Sequence, residues 1–403
     1  MISSQYTRDL WVADSDSKIL MLVIDGLGGL PHPDFGGESE LERARLPNLD
    51  RLASGGSCGL ISPLGPGFTP GSGPAHLALF GYDPWKDVIG RGALSALGLG
   101  LDFKAGDVAA RLNFCSVDAD FNVTDRRAGR IPTPECQRLC QLLGAIDIPG
   151  VEVRIAPEME YRAGVVFRGD GLADAVTDSD PQVTGVPPLA LEARTPEAAR
   201  MVEVAEEFLR QVRALLAAEQ PANMVLIRGF GRYPELAPMQ EVYGLRPLAV
   251  AGYPMYRGVA RTVGMDAAET GWNLASECQA LQKHWDEYDF FYVHVKKTDS
   301  AGEDGDFAKK VELLEEVDQY LPQLEALGPD VLIVTGDHST PARMQGHSWH
   351  PVPLAIASEW AMADGVPAFS ERGCRQGSLG VIPSTALMAL GLAHARRLAK
   401  FGA

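Results

Sequence analysis

Three apolar runs in this chain end on groups able to hold a cation. Ile19–Ile24 leads into Asp25 (VIDG), Phe290–Val295 into Asp299 (YVHVKKTD), and Val331–Thr335 into Asp337 and His338 (LIVTGDH). Continuous rather than alternating hydrophobicity marks strands buried on both faces, as in parallel sheets. Ligands bind such sheets beyond the carboxyl ends of the strands. Three carboxylates and an imidazole are therefore expected to meet in one crevice. Unpaired and desolvated, they would repel by an amount on the order of several kcal/mol, a conflict that divalent ions remove. Glu303, four residues beyond Asp299, and His347, in GHSWHPVPL, extend the set. Mixed carboxylate and imidazole donors suit Mn, Zn or a similar ion. The alternative is that strand-end aspartates cap turns or helices. His350 reads as a surface residue rather than a ligand, and Asp304 and Asp306 as solvent-facing or helix-capping.

Ser72 is the candidate nucleophile. It lies in TPGSGPAH, where glycines let the backbone turn sharply and approach a ligand. A helix is expected to start near Pro74, and its free amides would favour a phosphate. A serine in such a loop can equally be a plain turn residue; metal coordination is what would make its oxygen reactive at neutral pH. Arginines form a third group: Arg91, Arg111, Arg126, Arg127, Arg130, Arg162, Arg168, Arg228 and Arg257. Their forked donors bind phosphate or carboxylate at two points, and in an acidic chain they point to a small anionic substrate. The competing reading is a surface salt-bridge network. DGLGG after the first strand has the wrong spacing for a dinucleotide loop, and the preceding Asp25 would face a pyrophosphate.

The elements that must position these groups follow a strand–helix rhythm. Further buried strands are expected at Met224–Ile227, Leu248–Ala251 and Pro353–Ile356, with helices near Pro47–Ala53, Thr195–Ala218 and Asp306–Leu321, the last ended or kinked at Pro322. Residues 54–100, rich in Gly and Pro, read as a long functional loop. Strand-like pieces at Ala109–Asn113, Val151–Ile155 and Ala163–Phe167 suggest an inserted α+β domain. The fold class is thus α/β, a mainly parallel sheet with helices on both faces, interrupted by a smaller α+β insertion. The expected boundaries are 1–100 and 196–403 for the metal-bearing domain and 101–195 for the insertion.

Bulk properties narrow the partners. The chain has 403 residues, 46% hydrophobic and 22% charged, and a formal charge of -17. That acidity argues against general nucleic-acid binding, which needs a basic surface. No apolar run approaches a membrane span and the N-terminus has no signal core. The six cysteines form no CxxC pair and read as reduced thiols, which implies a cytoplasmic location. The oligomeric state is left open.

In order along the chain stand VIDGLGG, LPNLDRLA, PGSGPAHLALFGYDP, GRGALSALGLGL, RLNFCSVD, DRRAGRI, VTDSDPQ, TDSAGEDGDF and VTGDHSTP followed by HSWHPVPL. Together they resemble the archaeal-type, 2,3-bisphosphoglycerate-independent phosphoglycerate mutases of the alkaline phosphatase superfamily, over nearly the whole chain. The resemblance implies a phosphatase-like metal domain interrupted by a phosphotransferase domain, and interconversion of 3-phosphoglycerate and 2-phosphoglycerate through a phosphoserine, without 2,3-bisphosphoglycerate as cofactor. It implies two divalent ions, Mn first, with Zn, Co or Mg as alternatives. Asp25, Ser72, Asp337 and His338 resemble the ligands of one ion, and Asp299, Glu303 and His347 those of the other. Arg111, Asp125, Arg126, Arg130, Arg162, Arg228 and Arg257 would surround the substrate, with Asp125 as the base. Three positions depart from the family pattern. Glu303 stands where many relatives have His, Gly73-Pro74 follows the serine in place of a polar pair, and Arg257 stands where Lys is common. They leave room for a mutase or phosphatase acting on another phosphate ester; a non-catalytic metal-binding relative is the third reading.

Overall fold

The computed structural model describes residues 10–12 and 15–402. The chain forms two compact units. One comprises residues 1–88 and 237–403, the other residues 89–236. The insertion is therefore wider than the expected 101–195. The reason is its sheet, whose central strand pairs with a strand from beyond residue 195.

In chain order the strands are β1 (Ile19–Ile24), β2 (Ser57–Ser62), β3 (Val108–Val117), β4 (Val123–Asp125), β5 (Glu152–Met159), β6 (Arg162–Arg168), β7 (Met224–Arg232), β8 (Pro247–Ala251), β9 (Asp266–Ala267), β10 (Phe290–Val295), β11 (Val331–Thr335), β12 (Val352–Ser358) and β13 (Gly380–Pro383). The first unit is built on an eight-stranded sheet in the order β13-β2-β12-β11-β1-β10-β8-β9. Only β12 runs antiparallel to its neighbours. Every residue of β1, β10 and β11 is buried, as expected for strands covered on both faces. Ile24 pairs with Val295 and Val23 with Thr335. The carboxyl ends of β11, β1 and β10 thus lie side by side, which brings Asp337, Asp25 and Asp299 together from positions up to 312 apart in sequence.

The second unit orders its strands β4-β3-β6-β5, and β7 also pairs with β3. Its own core includes Leu112, Phe114, Val165, Phe167, Phe208 and Leu226. The helix Ala199–Leu216 supplies Met201, Ala205, Phe208 and Val212 to that core at helical spacing.

Two expectations change in detail. Residues 54–100 are not one long loop: they contain β2 and the helices Ser72–Leu79 and Arg91–Gly98. Gly and Pro there punctuate short elements. The helix expected to stop or kink at Pro322 runs on, from Phe307 to Glu325, with Asp306 as its N-cap accepting from Lys309 N at 2.9 Å. Among the described residues no helix is long and apolar enough to cross a membrane.

Candidate active site

The turn after β1 is tight because Gly26 takes a left-handed φ of 64°. A side chain there would meet Thr340 Oγ1 and the Asp299 backbone at under 3 Å. Lys310, fully buried on the Phe307–Glu325 helix, ties the neighbouring loops together. Its ammonium donates to Gly26 O at 2.8 Å, Gly28 O at 3.0 Å and Thr340 O at 2.8 Å, using all three of its protons. Thr298 Oγ1 donates to Asp25 O at 2.6 Å and fixes the third loop. Gly302 lets the short helix Lys297–Glu303 pack on Thr340 O, where a Cβ would approach to 2.2 Å.

On this frame two groups of ligand atoms assemble. Asp25, Asp337 and His338 form one, and Asp299, His338 and His347 the other, with all ligand atoms of each group within 4.8 Å of one another. His338 belongs to both. Ser72, the first residue of the Ser72–Leu79 helix, places its Oγ 3.3 Å from His338 Nε2. Glu303 stands at the rim, its side chain 53% exposed and its Oε1 3.7 Å from His347 Nε2.

The histidine tautomers follow from their partners. Thr340 Oγ1 donates to Asp299 Oδ1 at 2.7 Å, so it can only accept from His338 Nδ1, 3.0 Å away. A carbonyl, Pro70 O, lies 2.9 Å from His347 Nδ1 and likewise requires a proton there. His338, kept neutral by burial, is left with a lone pair on Nε2, and a neutral His347 would present one in the same way. His338 Nε2 then faces Asp25 Oδ1 at 3.4 Å and Asp337 Oδ2 at 3.1 Å, and His347 Nε2 faces Asp299 Oδ1 at 3.5 Å. Asp25 Oδ1 and Asp337 Oδ2 are buried with no hydrogen-bond partner. Lone pairs aimed at carboxylates inside a protein repel unless a cation lies between them. The donor set therefore fits divalent ions, three oxygens and two nitrogens of the kind that bind Mn or Zn.

The electrostatics agree. Burial, followed by the charges of Asp25 and Asp299, pushes the Asp337 carboxyl well above the usual carboxylate range. Burial would also raise Asp25, but Lys296 and His294 outweigh it and hold that carboxyl well below its ordinary value. Burial keeps the His338 imidazole neutral, far below its ordinary pKa. Glu303 is raised by partial burial and by Asp299.

Several residues of this site had no place in the sequence reading. Tyr256 hydrogen-bonds Asp25 Oδ2 through its hydroxyl and stacks on His294 at 3.6 Å between ring centroids. His76 Nδ1 lies 2.8 Å from Ser72 O and 3.3 Å from Asp337 Oδ2. Lys296 contacts both Asp25 and Asp299. Two signals were available. His76 is one helical turn after Ser72, and Tyr292 and His294 recur at a spacing of two along a strand otherwise apolar.

In the second unit the predicted arginines divide. Arg111 and Arg228 are directly paired across β3 and β7, an unfavourable placement of like charges unless an anion or acid joins them. Arg91 stands beside both; its guanidinium is pushed down by burial and then by Arg228 and Arg111. Arg228 reaches Asp180 at 3.0 Å and Arg111 reaches Glu158 at 3.5 Å, while Arg111 Nε has no partner. Arg126 is committed to Asp180 through two bonds of 2.8 and 2.7 Å. Arg168 is likewise committed, to Asp107 at 2.9 and 2.6 Å. Arg130 is exposed, 3.9 Å from Glu160. Arg162 bonds Tyr161 OH at 3.1 Å. Asp125 accepts from Arg127 N at 2.8 Å and Gly129 N at 2.6 Å, so each carboxylate oxygen already serves the turn that carries DRRAGR and retains one further acceptor position. Arg257 belongs to the first unit, on the Pro254–Thr262 helix, with its Nε buried and unpartnered.

Comparison with known proteins shows what the chain as a whole is similar to. A family model described as 2,3-bisphosphoglycerate-independent phosphoglycerate mutase matches residues 53–223. A Thermus thermophilus protein named "Probable 2,3-bisphosphoglycerate-independent phosphoglycerate mutase" is 53% identical over 395 residues, 96% of each chain. A solved protein from Pyrococcus horikoshii superposes with a TM-score of 0.83 at 29% identity, covering 96% of this chain and 99% of that one. A cofactor-independent phosphoglycerate mutase from Thermoplasma acidophilum gives 0.70 at 29% identity, covering 94% and 100%.

Proposed function

The chain belongs to the 2,3-bisphosphoglycerate-independent phosphoglycerate mutase family, and on that premise we propose that its acidic crevice moves a phosphoryl group through Ser72. The enzyme is an isomerase that interconverts 3-phosphoglycerate and 2-phosphoglycerate. The observation that carries the proposed route is the position of Ser72 Oγ, 3.3 Å from the one imidazole shared by both ligand groups.

Asp25, Asp337, His338 and Ser72 would hold one divalent ion, and Asp299, His347 and Glu303 the other, with His338 between them; Mn is the first choice for this donor set. When bound, the ions supply positive charge that lowers the proton affinity of Ser72 and stabilises the phosphoryl oxygens. Ser72 displaces glycerate and becomes phosphoserine. Its position at a helix start adds free amides that favour the transferring group. Arg111, Arg228, Arg126, Arg130, Arg162 and Arg257 retain the glycerate carboxylate and orient its second hydroxyl, with Asp125 accepting that hydroxyl's proton. The hydroxyl then takes the phosphoryl group back. Exclusion of water during this exchange separates a mutase from a phosphatase. The free thiols at all six cysteines support a reducing, cytoplasmic setting.

The test is incubation of the Mn-loaded protein with 3-phosphoglycerate, without 2,3-bisphosphoglycerate. Formation of 2-phosphoglycerate is expected. Ser72→Ala is expected to lower turnover by at least about 10⁴-fold, the scale seen when a nucleophile is removed, with Mn affinity kept within about tenfold. Release of free phosphate without isomerisation would favour a phosphatase instead.

A further inference from the structure

Lys296 follows β10 directly, and its ammonium serves two carboxylates from different strands. It lies 3.2 Å from Asp25 Oδ2 and hydrogen-bonds Asp299 Oδ2. In each aspartate it is the other oxygen, Oδ1, that faces the histidine lone pairs: Asp25 Oδ1 faces His338, and Asp299 Oδ1 faces His347. The lysine therefore touches the outer oxygens of one carboxylate from each ligand group and leaves the inner oxygens to the ions.

Such a contact has two opposite effects on a cation held at the inner oxygens. It fixes the carboxylates in place, which favours binding, and it sets a positive charge a few ångströms away, which opposes it. Here the first effect is duplicated. Asp25 is also held by the Tyr256 hydroxyl, and Asp299 by Thr340 Oγ1 at 2.7 Å. His294 Nε2 also lies 3.4 Å from Asp25 Oδ2, but burial holds that imidazole below its ordinary pKa, and among the described residues no other cation is recorded at those two outer oxygens. We propose that Lys296 sets the affinity of both ion positions, weakening each and coupling one to the other through its shared ammonium. The inference rests on the two-ion reading of the site. It assigns to a residue outside the ligand set the task of keeping the ions exchangeable in a crevice with three carboxylates.

The experiment is a Mn²⁺ titration by calorimetry of the full-length parent, Lys296→Met, Lys296→Gln and Lys296→Arg, each shown to be folded by circular dichroism. The parent is expected to bind two ions. The two neutral variants should bind them at least tenfold more tightly, and the arginine variant within threefold of the parent. A residue needed only to hold the loop would give the opposite sign, so unchanged or weaker binding in the folded neutral variants overturns the proposal. A parent that binds no Mn²⁺ overturns the two-ion reading and this inference with it, whereas a binding parent with no tightening in the variants overturns this inference alone. If the neutral variants do not fold, the parent still decides. Its lysine ¹⁵N spectrum should contain a protected ammonium signal that disappears in Lys296→Arg and shifts as Mg²⁺ is added. A signal indifferent to Mg²⁺ overturns the proposal.

Discussion

Thr340 decides which nitrogen of His338 meets a cation. Its hydroxyl has one proton, given to Asp299 Oδ1, and a lone pair facing His338 Nδ1. It therefore fixes one imidazole proton and one carboxylate rotamer together, across the two ligand groups. Partners of this kind typically account for 10- to 100-fold in metal affinity. Thr340→Val keeps the shape and removes both bonds. The expected outcome is a loss of about 10- to 100-fold in Mn²⁺ affinity by calorimetry, opposite in sign to the effect of neutralising Lys296. An unchanged affinity would mean that the imidazole is held by packing against His347, whose ring lies 3.6 Å away, rather than by the threonine. At this scale the sequence is informative about charge and silent about orientation. Asp25, Asp299, Asp337, His338, His347 and Ser72 can all be found at strand ends and in a glycine-rich turn. Thr340 and Lys296 cannot be told from ordinary polar neighbours, because their roles depend on which oxygen they touch.

The elements bring a second titrating group into the first unit. The helix Leu274–Lys283 starts on Asn273, whose side chain accepts from Ser276 N at 2.9 Å, and buries Glu277 beside the end of β8, where Gly252 N lies 3.3 Å from its carboxylate. Burial is the main cause that raises its pKa from 4.5 to about 8. The folded state thus binds a proton more readily than the unfolded chain between those two values. Its contribution is fully present below pH 4.5 and is lost as pH rises through about 8, with a slope of up to about 1.4 kcal/mol per pH unit. Glu277→Gln keeps an acceptor for Gly252 and removes the charge. It should raise stability by roughly 1–3 kcal/mol at pH 8.5 and change it little at pH 4.5. Urea unfolding of both proteins at the two pH values measures this; an equal loss at both would mean the carboxylate itself is needed. The elements themselves were largely legible. The spans Ile19–Ile24, Phe290–Val295 and Val331–Thr335 agree residue for residue with the strands found. The miss at β2 has a physical cause: SCGLIS, set among glycines, gains its strand character from β12 and β13 on either side rather than from its own residues.

At the scale of the whole molecule, the division of labour follows the chain's two crossings between units, near residues 88 and 236. The expected insertion of 101–195 cut through the second unit because strand pairing, unlike burial, leaves no local mark in sequence. β7, at 224–232, opens on an apolar run, Met224–Ile227, like those of the first unit, yet it pairs with β3 from Cys115–Met224 to Val108–Arg232. The same pairing brings the ends of the unit together: a Cβ on Gly90 would lie 2.5 Å from Phe230 O. Residues 89–236 therefore have their own sheet, their own apolar core and adjacent termini, the conditions under which a segment folds alone. In the remaining chain Tyr82 OH reaches Ala237 O at 2.6 Å, so a short glycine-serine link can join 88 to 237. All seven proposed ligands lie in that remainder, and five of the six proposed substrate arginines lie in the excised part. The expected outcome is that 89–236 alone melts cooperatively and gives a dispersed amide spectrum. The linked remainder should bind Mn²⁺ within about tenfold of the parent and form no 2-phosphoglycerate, because glycerate would be lost from a site without its arginines. Isomerisation by the remainder would place substrate retention in the first unit, where Arg257 is the one left of the six proposed arginines. Failure of both pieces to fold would show that each unit's stability depends on the other, despite separate cores.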